Sequence, residues 1–580
     1  MMMSILFRAT LFLVLLAPVL AADVPRVRID GNGVPSITLD GRALLDPADP
    51  AVLSVVLEDI SRNAAGEKVR TYQRPDVKPT AASRQGHVLR QDYPWGRVEY
   101  AYTASPDALA IAVAIHNATS STIADFTIRL ATVELPGAAA SLKPNETMAC
   151  SLDNLAVVEA PCGGWKLLAC CQTIEPPLFF GLGRPEKNTE RYPLMVRGGV
   201  VAMEAGAFEF HPLGLPRVAP GKSLNLAFSL RFAPADKPSL QILADLHRAF
   251  REVHASRLDW KDRRPIGQLF LPSGQNKSPA NPRGWFGKAD LNVSTPEGRA
   301  QFRKLMLDYA DRSIKAMSKM DAQGMIVWNL EGEENPHPIT YIGDPRMLRT
   351  LAPEMDEVAD EFFARFRDAG FRTGCTLRPT QIYKHPEKGW QHGTGSDMPG
   401  RNEQFQHLKP ADLPAWRFFP IVQRMCDKID YARKRWGCTI FYIDTNGIFV
   451  PVGEKTEFKW RLLDALVLKG ILEKHPDVLL IPELCRGDGT FRTAYWAYSA
   501  VYFELDYGGI WTTPGRVLDI MPGAFSVIAL KDAKNYDARR ADLVEAVRRG
   551  DILFFRGWFD DSINPKIRSI YEDAGRLPRK

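Results

Sequence analysis

An excess of charge of either sign is missing from this chain. Its 74 Lys plus Arg stand against 68 Asp plus Glu, a formal net charge of +6 over 580 residues. A nucleic-acid platform carries a clustered surplus of Lys and Arg, so no nucleic-acid partner is expected. Histidine is scarce, at 10 in the whole chain, and no Ser-His-Asp arrangement or G-x-S-x-G elbow is recognisable. Serine-nucleophile hydrolysis is thereby set aside. No G-x-G-x-x-G follows a strand-like run and no P-loop occurs, which excludes the common dinucleotide and phosphate cradles. No cofactor is expected. The 8 cysteines fall in no zinc spacing, and no metal is assigned. Past the N-terminus no apolar run approaches the ~20 residues of a bilayer span, so no membrane contact is expected of the mature form. With 45% hydrophobic and 24% charged residues, the composition is that of a globular chain, not of a disordered one.

What is present begins with a targeting segment. Arg8 precedes an apolar run from Leu11 to Ala22, and Val19-Leu20-Ala21 has the small-residue character of a cleavage site. This predicts a signal peptide over residues 1–21 and an exported protein, periplasmic or extracellular; an uncleaved anchor is the alternative. Export permits disulfides. Cys150, Cys162, Cys170 and Cys171 are dense enough for one local bridge, whereas Cys375, Cys426, Cys438 and Cys485 sit in apolar segments and read as buried thiols.

Residues 22–235 read as strands. Val27 to Leu39, Val52 to Glu58, His87 to Asp92, Val98 to Thr103, Ala108 to Asn117 and Ile123 to Leu135 are short and apolar-rich, and the last two alternate with period two. Such spacing without helical windows predicts an all-β antiparallel sandwich. Ala108 to Leu135 reads as a hairpin with Asn117 to Ser121 at its turn. It resembles the large sandwich found ahead of many glycosidase barrels, related to the galactose-mutarotase fold. Residues 236–260 follow as a linker helix, QILADLHRAFREVH at its centre.

From 261 to 580 strand-like and helical windows alternate, the signature of parallel βαβ units. The eight apolar runs are Gly267 to Leu271, Met325 to Leu330, Thr373 to Leu377, Thr439 to Ile443, Val478 to Ile481, Ala500 to Leu505, Phe525 to Leu530 and Ile552 to Phe555. Helical windows cover Arg299 to Met320, Pro353 to Ala369, Leu413 to Trp436, Glu457 to Lys474, Lys534 to Arg549 and Asn564 to Ala574. This predicts an α/β domain, a (β/α)8 TIM barrel. An open doubly wound sheet is the alternative.

In a barrel the chemistry sits at the C-terminal ends of the strands. Here those ends are rich in carboxylates and Trp, which suits glycosidic-bond cleavage. One carboxylate must be ionised to attack the anomeric carbon, and a second must be protonated to assist the leaving oxygen. Asp444, directly after the fourth run, is the candidate nucleophile; a loop or helix cap is its other reading. Glu483, after the fifth run, is the candidate acid/base; an ion pair with Arg486 or Arg492 is its other reading. Trp328, Trp511 and Trp558 are candidate stacking platforms, with Trp285 and Phe286 in the loop after the first run. Arg378 and Asn446 can orient sugar hydroxyls. Beyond the second run stand Glu331, Glu333, Glu334 and His337. Three readings stay open for them: a sugar contact by Glu331, a hard-cation site serving a cation-assisted hydrolase, or a solvated acidic loop. Asp344 and Arg346 close over the same mouth. A carbohydrate-binding barrel without catalysis remains a further reading, since fold does not fix function.

The layout YIDTNG, a helix, LLIPE and then YFELDYGG resembles the catalytic stretch of glycoside hydrolase families 101 and 129. The resemblance spans Thr439 to Gly509. It implies a retaining enzyme for α-linked N-acetylgalactosamine, with a carbohydrate or glycoconjugate substrate. Asp444 matches the family's strand-four nucleophile and Glu483 its strand-five acid/base. The α-galactosidase and α-glucosidase relatives instead pair the strand-four Asp with a strand-six carboxylate. Glu504 or Asp506 fills that place here, as acid/base or as a substrate contact.

Overall fold

Period-two alternation builds the N-terminal half. Along Ala108–Asn117 every second residue, from Leu109 through Ile111, Val113 and Ile115, is buried, because successive side chains of a strand point to opposite faces. The computed structural model describes residues 24–578 apart from 46–49, 65, 67, 136–148, 186, 188, 200–215, 256–257, 275, 333–342, 380–381, 386–388, 393–417, 445–446, 453–456, 463–464, 484–485, 488–489, 505–511, 531–536 and 556–563. The expected signal peptide and Cys485 lie outside these residues. Among the described residues, no helix is long and apolar enough to cross a membrane.

Two antiparallel sheets of six and seven strands enclose one apolar core. The seven-stranded sheet holds Ala108–Asn117 between Ser223–Pro234 and Gly96–Ser105. The six-stranded sheet holds Thr122–Glu134 between Ala51–Arg62 and Arg191–Gly199. The expected hairpin from Ala108 to Leu135 is therefore an arch that carries the chain from one sheet to the other. The arch lets Leu109 to Ile115 and Ile123 to Val133 face the same core from opposite sides. Asn117 fixes its bend: the buried Nδ2 donates to Ser121 O at 2.7 Å and Val218 O at 2.8 Å, and Oδ1 accepts from Thr119. Val27 to Leu39 is likewise two strands, Arg26–Ile29 and Pro35–Leu39, turned at Asp30. No local bridge joins the first cysteine group: Cys162, Cys170 and Cys171 are free, buried thiols.

The barrel strands are Ile266–Phe270, Gly324–Trp328, Thr373–Leu377, Cys438–Ile443, Leu479–Pro482, Val501–Glu504, Ser526–Leu530 and Ile552–Phe555. They will be called strands one to eight. All neighbouring pairs are parallel, in the order five-four-three-two-one-eight-seven-six. At the seam between strands five and six, Ala500 N donates to Leu480 O at 2.9 Å. Both faces of these strands are buried, as parallel sheets require. Ile266, Ile326, Ile440, Leu479, Val527 and Ile552 fill the interior. Their alternates, such as Leu269, Val327, Phe441, Leu480 and Ile528, pack against the helices. One helical expectation fails in part. Glu457–Leu462 is a strand paired with Gly447–Val452, and only Ala465–Lys474 is helix. The sequence EFKWRL alternates with period two, and that local pattern wins.

The linker helix Ala244–Val253 ends on His254, whose buried ring contacts Tyr498 Oη at 2.5 Å and Leu152 O at 2.9 Å. It thus touches both halves. A second contact runs from the sandwich to the loop after strand five. Asn154 Oδ1 accepts from Thr493 N and Oγ1, each at 2.8 Å, and Arg492 lies 3.1 Å from the buried Asp153 carboxylate. Asn154→Ala is expected to cost about 1–3 kcal/mol, because two buried donors lose their acceptor. Urea melts of the two proteins measure it, and an unchanged midpoint would remove this contact from the account.

Candidate active site

Strand alternation delivers the site. Ile440 and Tyr442 point into the barrel, while Phe441 and Ile443 point outward. The next inward position on strand four is Asp444. On strand five Leu479 and Ile481 point inward, and the next inward position is Glu483. Ile443 pairs with Pro482 in the parallel register, so Asp444 and Glu483 occupy the following register step. The ladder still holds there: Glu483 N donates to Ile443 O at 3.1 Å, and Asp444 N to Leu377 O at 2.8 Å. Neighbouring strands run roughly 4.8 Å apart. Residues 444 and 483 therefore follow at adjacent strand ends in the same register step. Arg492, one of the arginines named as an ion-pair partner for Glu483, contacts Asp153.

Arg378 follows the outward Cys375 and Leu377 of strand three and also turns in. Its guanidinium donates from Nε to Asp444 Oδ2 at 2.7 Å, and its Nη2 lies 2.7 Å from the same oxygen. Arg378 is 0% exposed and Asp444 5%. The pair is a buried ion pair whose members each depend on the other. Arg378 was expected to hold sugar hydroxyls, but its described contact is with Asp444. Both contacts fall on Oδ2, and Oδ1 has no hydrogen-bond partner among the described residues.

Beneath the carboxylates lies an aromatic floor. Tyr442 has ring centroids of Trp328, Tyr502 and Phe554 at 4.2, 5.0 and 6.3 Å, and Trp328 stacks on Phe270 at 5.3 Å. Trp328 is 6% exposed and is part of this floor rather than a free-standing platform. Tyr442, Tyr502, Phe270 and Phe554 were not foreseen. Their signal was present, since Tyr442 precedes Asp444 by two and period-two alternation puts both on one face. Trp285 is fully buried in the helix layer, where its indole donates to Glu354 at 2.6 Å.

Glu331 is held beside Asp344, next to the Gly343 whose carbonyl accepts from Arg378 N. Its carboxyl is buried, with Oε1 accepting from Asp344 N at 2.9 Å and Oε2 lacking a partner among the described residues. Burial pushes it up to about 7. Asp344 is also buried and binds Arg346 at 2.8 Å, with Lys428 Nζ at 3.7 Å. Burial raises the Asp344 carboxyl, but Lys428 and Arg346 bring it below the usual range. Asp344 and Arg346 thus form part of an ionic cluster around Lys428, beside strand three. Lys428 went unnoticed. Its signal is a lysine among Met425, Cys426, Ile429 and Ala432, the buried residues of helix Phe418–Trp436.

Glu333, Glu334, His337, Asn446, Asp506, Trp511 and Trp558 lie outside the described residues, and the side chain of Glu504 lies outside them too. Among the described residues, no group of three or more His, Cys, Asp or Glu is arranged to hold a metal ion.

No protein-family model matches the chain, and no curated protein matches it. Solved structures do resemble it. A cycloalternan-degrading enzyme from Trueperella pyogenes is 9% identical, over 91% of this chain and 81% of that one, with a TM-score of 0.35. An α-amylase from Geobacillus thermoleovorans, complexed with acarbose, is 13% identical over 55% of this chain and 79% of that one, with a TM-score of 0.30. A galactose mutarotase related enzyme from Lactobacillus acidophilus is 11% identical, over 37% of this chain and 97% of that one, with a TM-score of 0.24. These scores are too low to carry an activity across.

Proposed function

We propose that this chain is a glycoside hydrolase that cleaves α-linked glycosides with retention, Asp444 acting as nucleophile and Glu483 as acid/base. The observation that carries the reading is the register of strands four and five. Ile443 pairs with Pro482, so positions 444 and 483 follow on adjacent strands, which supports two carboxylates at one rim. Retention needs two carboxyl groups about 5–5.5 Å apart, whereas inversion needs about 6.5–9.5 Å to admit a water between them. In-register neighbours suit the shorter separation. The α-linkage rests on the family resemblance of YIDTNG and LLIPE. Of the Glu331 to His337 group only Glu331 is among the described residues, and its carboxyl is buried.

In this mechanism Asp444 Oδ1 bonds to the anomeric carbon while the bond to the leaving oxygen breaks. The proton of Glu483 goes to that oxygen. Water then attacks the same carbon, its proton passes to Glu483, and the bond to Asp444 breaks. Arg378 holds the other oxygen of Asp444 and fixes the direction of attack. The aromatic floor beneath is buried and supports the strand end that carries Asp444.

Glu483→Gln tests the assignment. Turnover of glycosides with poor leaving groups should fall by about 10²–10⁴-fold, the scale of general acid catalysis. Nitrophenyl glycosides, which leave without a proton, should keep their first step, and added azide should give a glycosyl azide of retained configuration. NMR of the first-formed product decides between retention and inversion. Sugar binding without turnover of any α- or β-glycoside would instead favour a non-catalytic barrel. Export belongs to the same proposal, and N-terminal sequencing of the secreted form would locate the cut near Ala21.

A further inference from the structure

We propose that Lys428 is a positioning residue for the nucleophile: it clamps the backbone of Arg378, and Arg378 in turn holds Asp444. The inference rests on the glycosidase reading for its kinetics and on geometry alone for its structural part.

Three elements meet at one ammonium group. Lys428 comes from helix Phe418–Trp436 and is fully buried. Its Nζ donates to Arg378 O at 2.7 Å and to Gly343 O at 3.3 Å. Gly343 O also accepts from Arg378 N at 3.0 Å. Both backbone groups of Arg378 are therefore tied, one directly and one through the carbonyl that Lys428 also binds. Gly343 has φ +70°, and a Cβ there would stand 2.8 Å from Arg378 N and Cγ. The position needs glycine for its conformation and for its closeness to Arg378. Among the described residues, no contact of Lys428 or Gly343 is with Asp444 or Glu483. The output of the clamp is the placement of the Arg378 guanidinium, whose described contact is Asp444 Oδ2.

The charged groups facing Lys428 are Asp344 and Glu331 from the segment after strand two, Arg346 beside Asp344, and Arg424 on its own helix. Asp427 lies 3.9 Å from Arg346, and the Cys375 thiol of strand three, raised by its hydrogen bond to Cys438 and by burial, feels Glu331 and Asp344. Burial brings the ammonium down to about 8, with Asp344 and Glu331 pulling upward and Arg424 and Arg346 pushing further down. The clamp is charged at neutral pH and loses its charge as pH rises through about 8.

The test uses the full chain and a nitrophenyl glycoside, whose first step does not need the proton of Glu483. For the wild type, kcat/KM should fall as pH rises through about 8. In Lys428→Met, kcat should drop by about a hundredfold, the cost of an ångström of misplacement. KM should stay within about twofold, since no sugar contact is removed, and the alkaline fall should vanish. A variant that keeps both its kcat and its alkaline fall would overturn the proposal. Crystal structures form a second, independent arm. In Lys428→Met, or in the wild type at pH 9.5 should that variant not fold, the Arg378–Asp444 contact of 2.7 Å should lengthen. A contact unchanged there would also overturn it. A wild type that turns over no glycoside sinks the functional reading, while the crystal structures still decide the clamp.

Discussion

Asp444→Asn is expected to lower turnover by about 10⁴-fold or more, the scale on which loss of a principal catalytic group acts, while the protein stays folded. The two halves of that expectation have separate causes. The chemistry is lost because an amide oxygen is a poor nucleophile toward an anomeric carbon. The fold persists because the amide still offers an acceptor to Arg378, whose guanidinium has no exposed surface. Asp444→Ala differs in the second respect. Both variants take the counter-charge from a buried cation, but Asp444→Ala also removes the acceptor, at a cost of about 3–5 kcal/mol. Turnover on aryl glycosides and a urea melt, run on both variants, separate the effects. Full activity in Asp444→Asn would end the nucleophile assignment.

Arg378→Met should cost stability on the same scale as Asp444→Ala. It strands a carboxylate that is 5% exposed, again about 3–5 kcal/mol. The double variant Arg378→Met with Asp444→Asn should recover much of that loss, because no charge is left to bury. The interaction energy from the four-protein cycle then reports the pair. The same experiment decides what Arg378 does. An arginine that only gripped sugar hydroxyls would raise KM and leave the melt untouched. One that holds the nucleophile costs stability and kcat together. A melt unchanged within about 0.5 kcal/mol, the usual range for surface changes, would return Arg378 to the role of a sugar contact.

The eight barrel strands were legible because parallel strands buried on both faces read as continuous apolar runs. Thr373–Leu377 was expected and is found with the same ends. Asp444 and Glu483 stood out for the same reason, as the first charged residues after such runs. What a strand pairs with was less legible. Alternation along Thr122–Glu134 tells which side is buried but not which sheet receives it, so the arch at Asn117 reads as a hairpin in the sequence. Arg378 showed its charge but not its partner, which comes from the neighbouring strand. Lys428 is separated from Gly343 by 85 residues and from Arg378 by 50, and no local pattern links such distant groups. Glu331 follows strand two closely, with Asn329 at φ 59° between them, and its contact with Asp344 N, 13 residues on, is not legible in the sequence.

The grip of Asn154 and Asp153 on Thr493 and Arg492 bears on how the two halves can be used. The stretch they hold lies just beyond Glu483, so the sandwich acts as a splint for the segment that bears the proposed proton donor. Excising the barrel as a minimal catalyst would leave that segment unbraced. Grafting a foreign sandwich onto it would work only if the graft brought an amide and a carboxylate to the same two places.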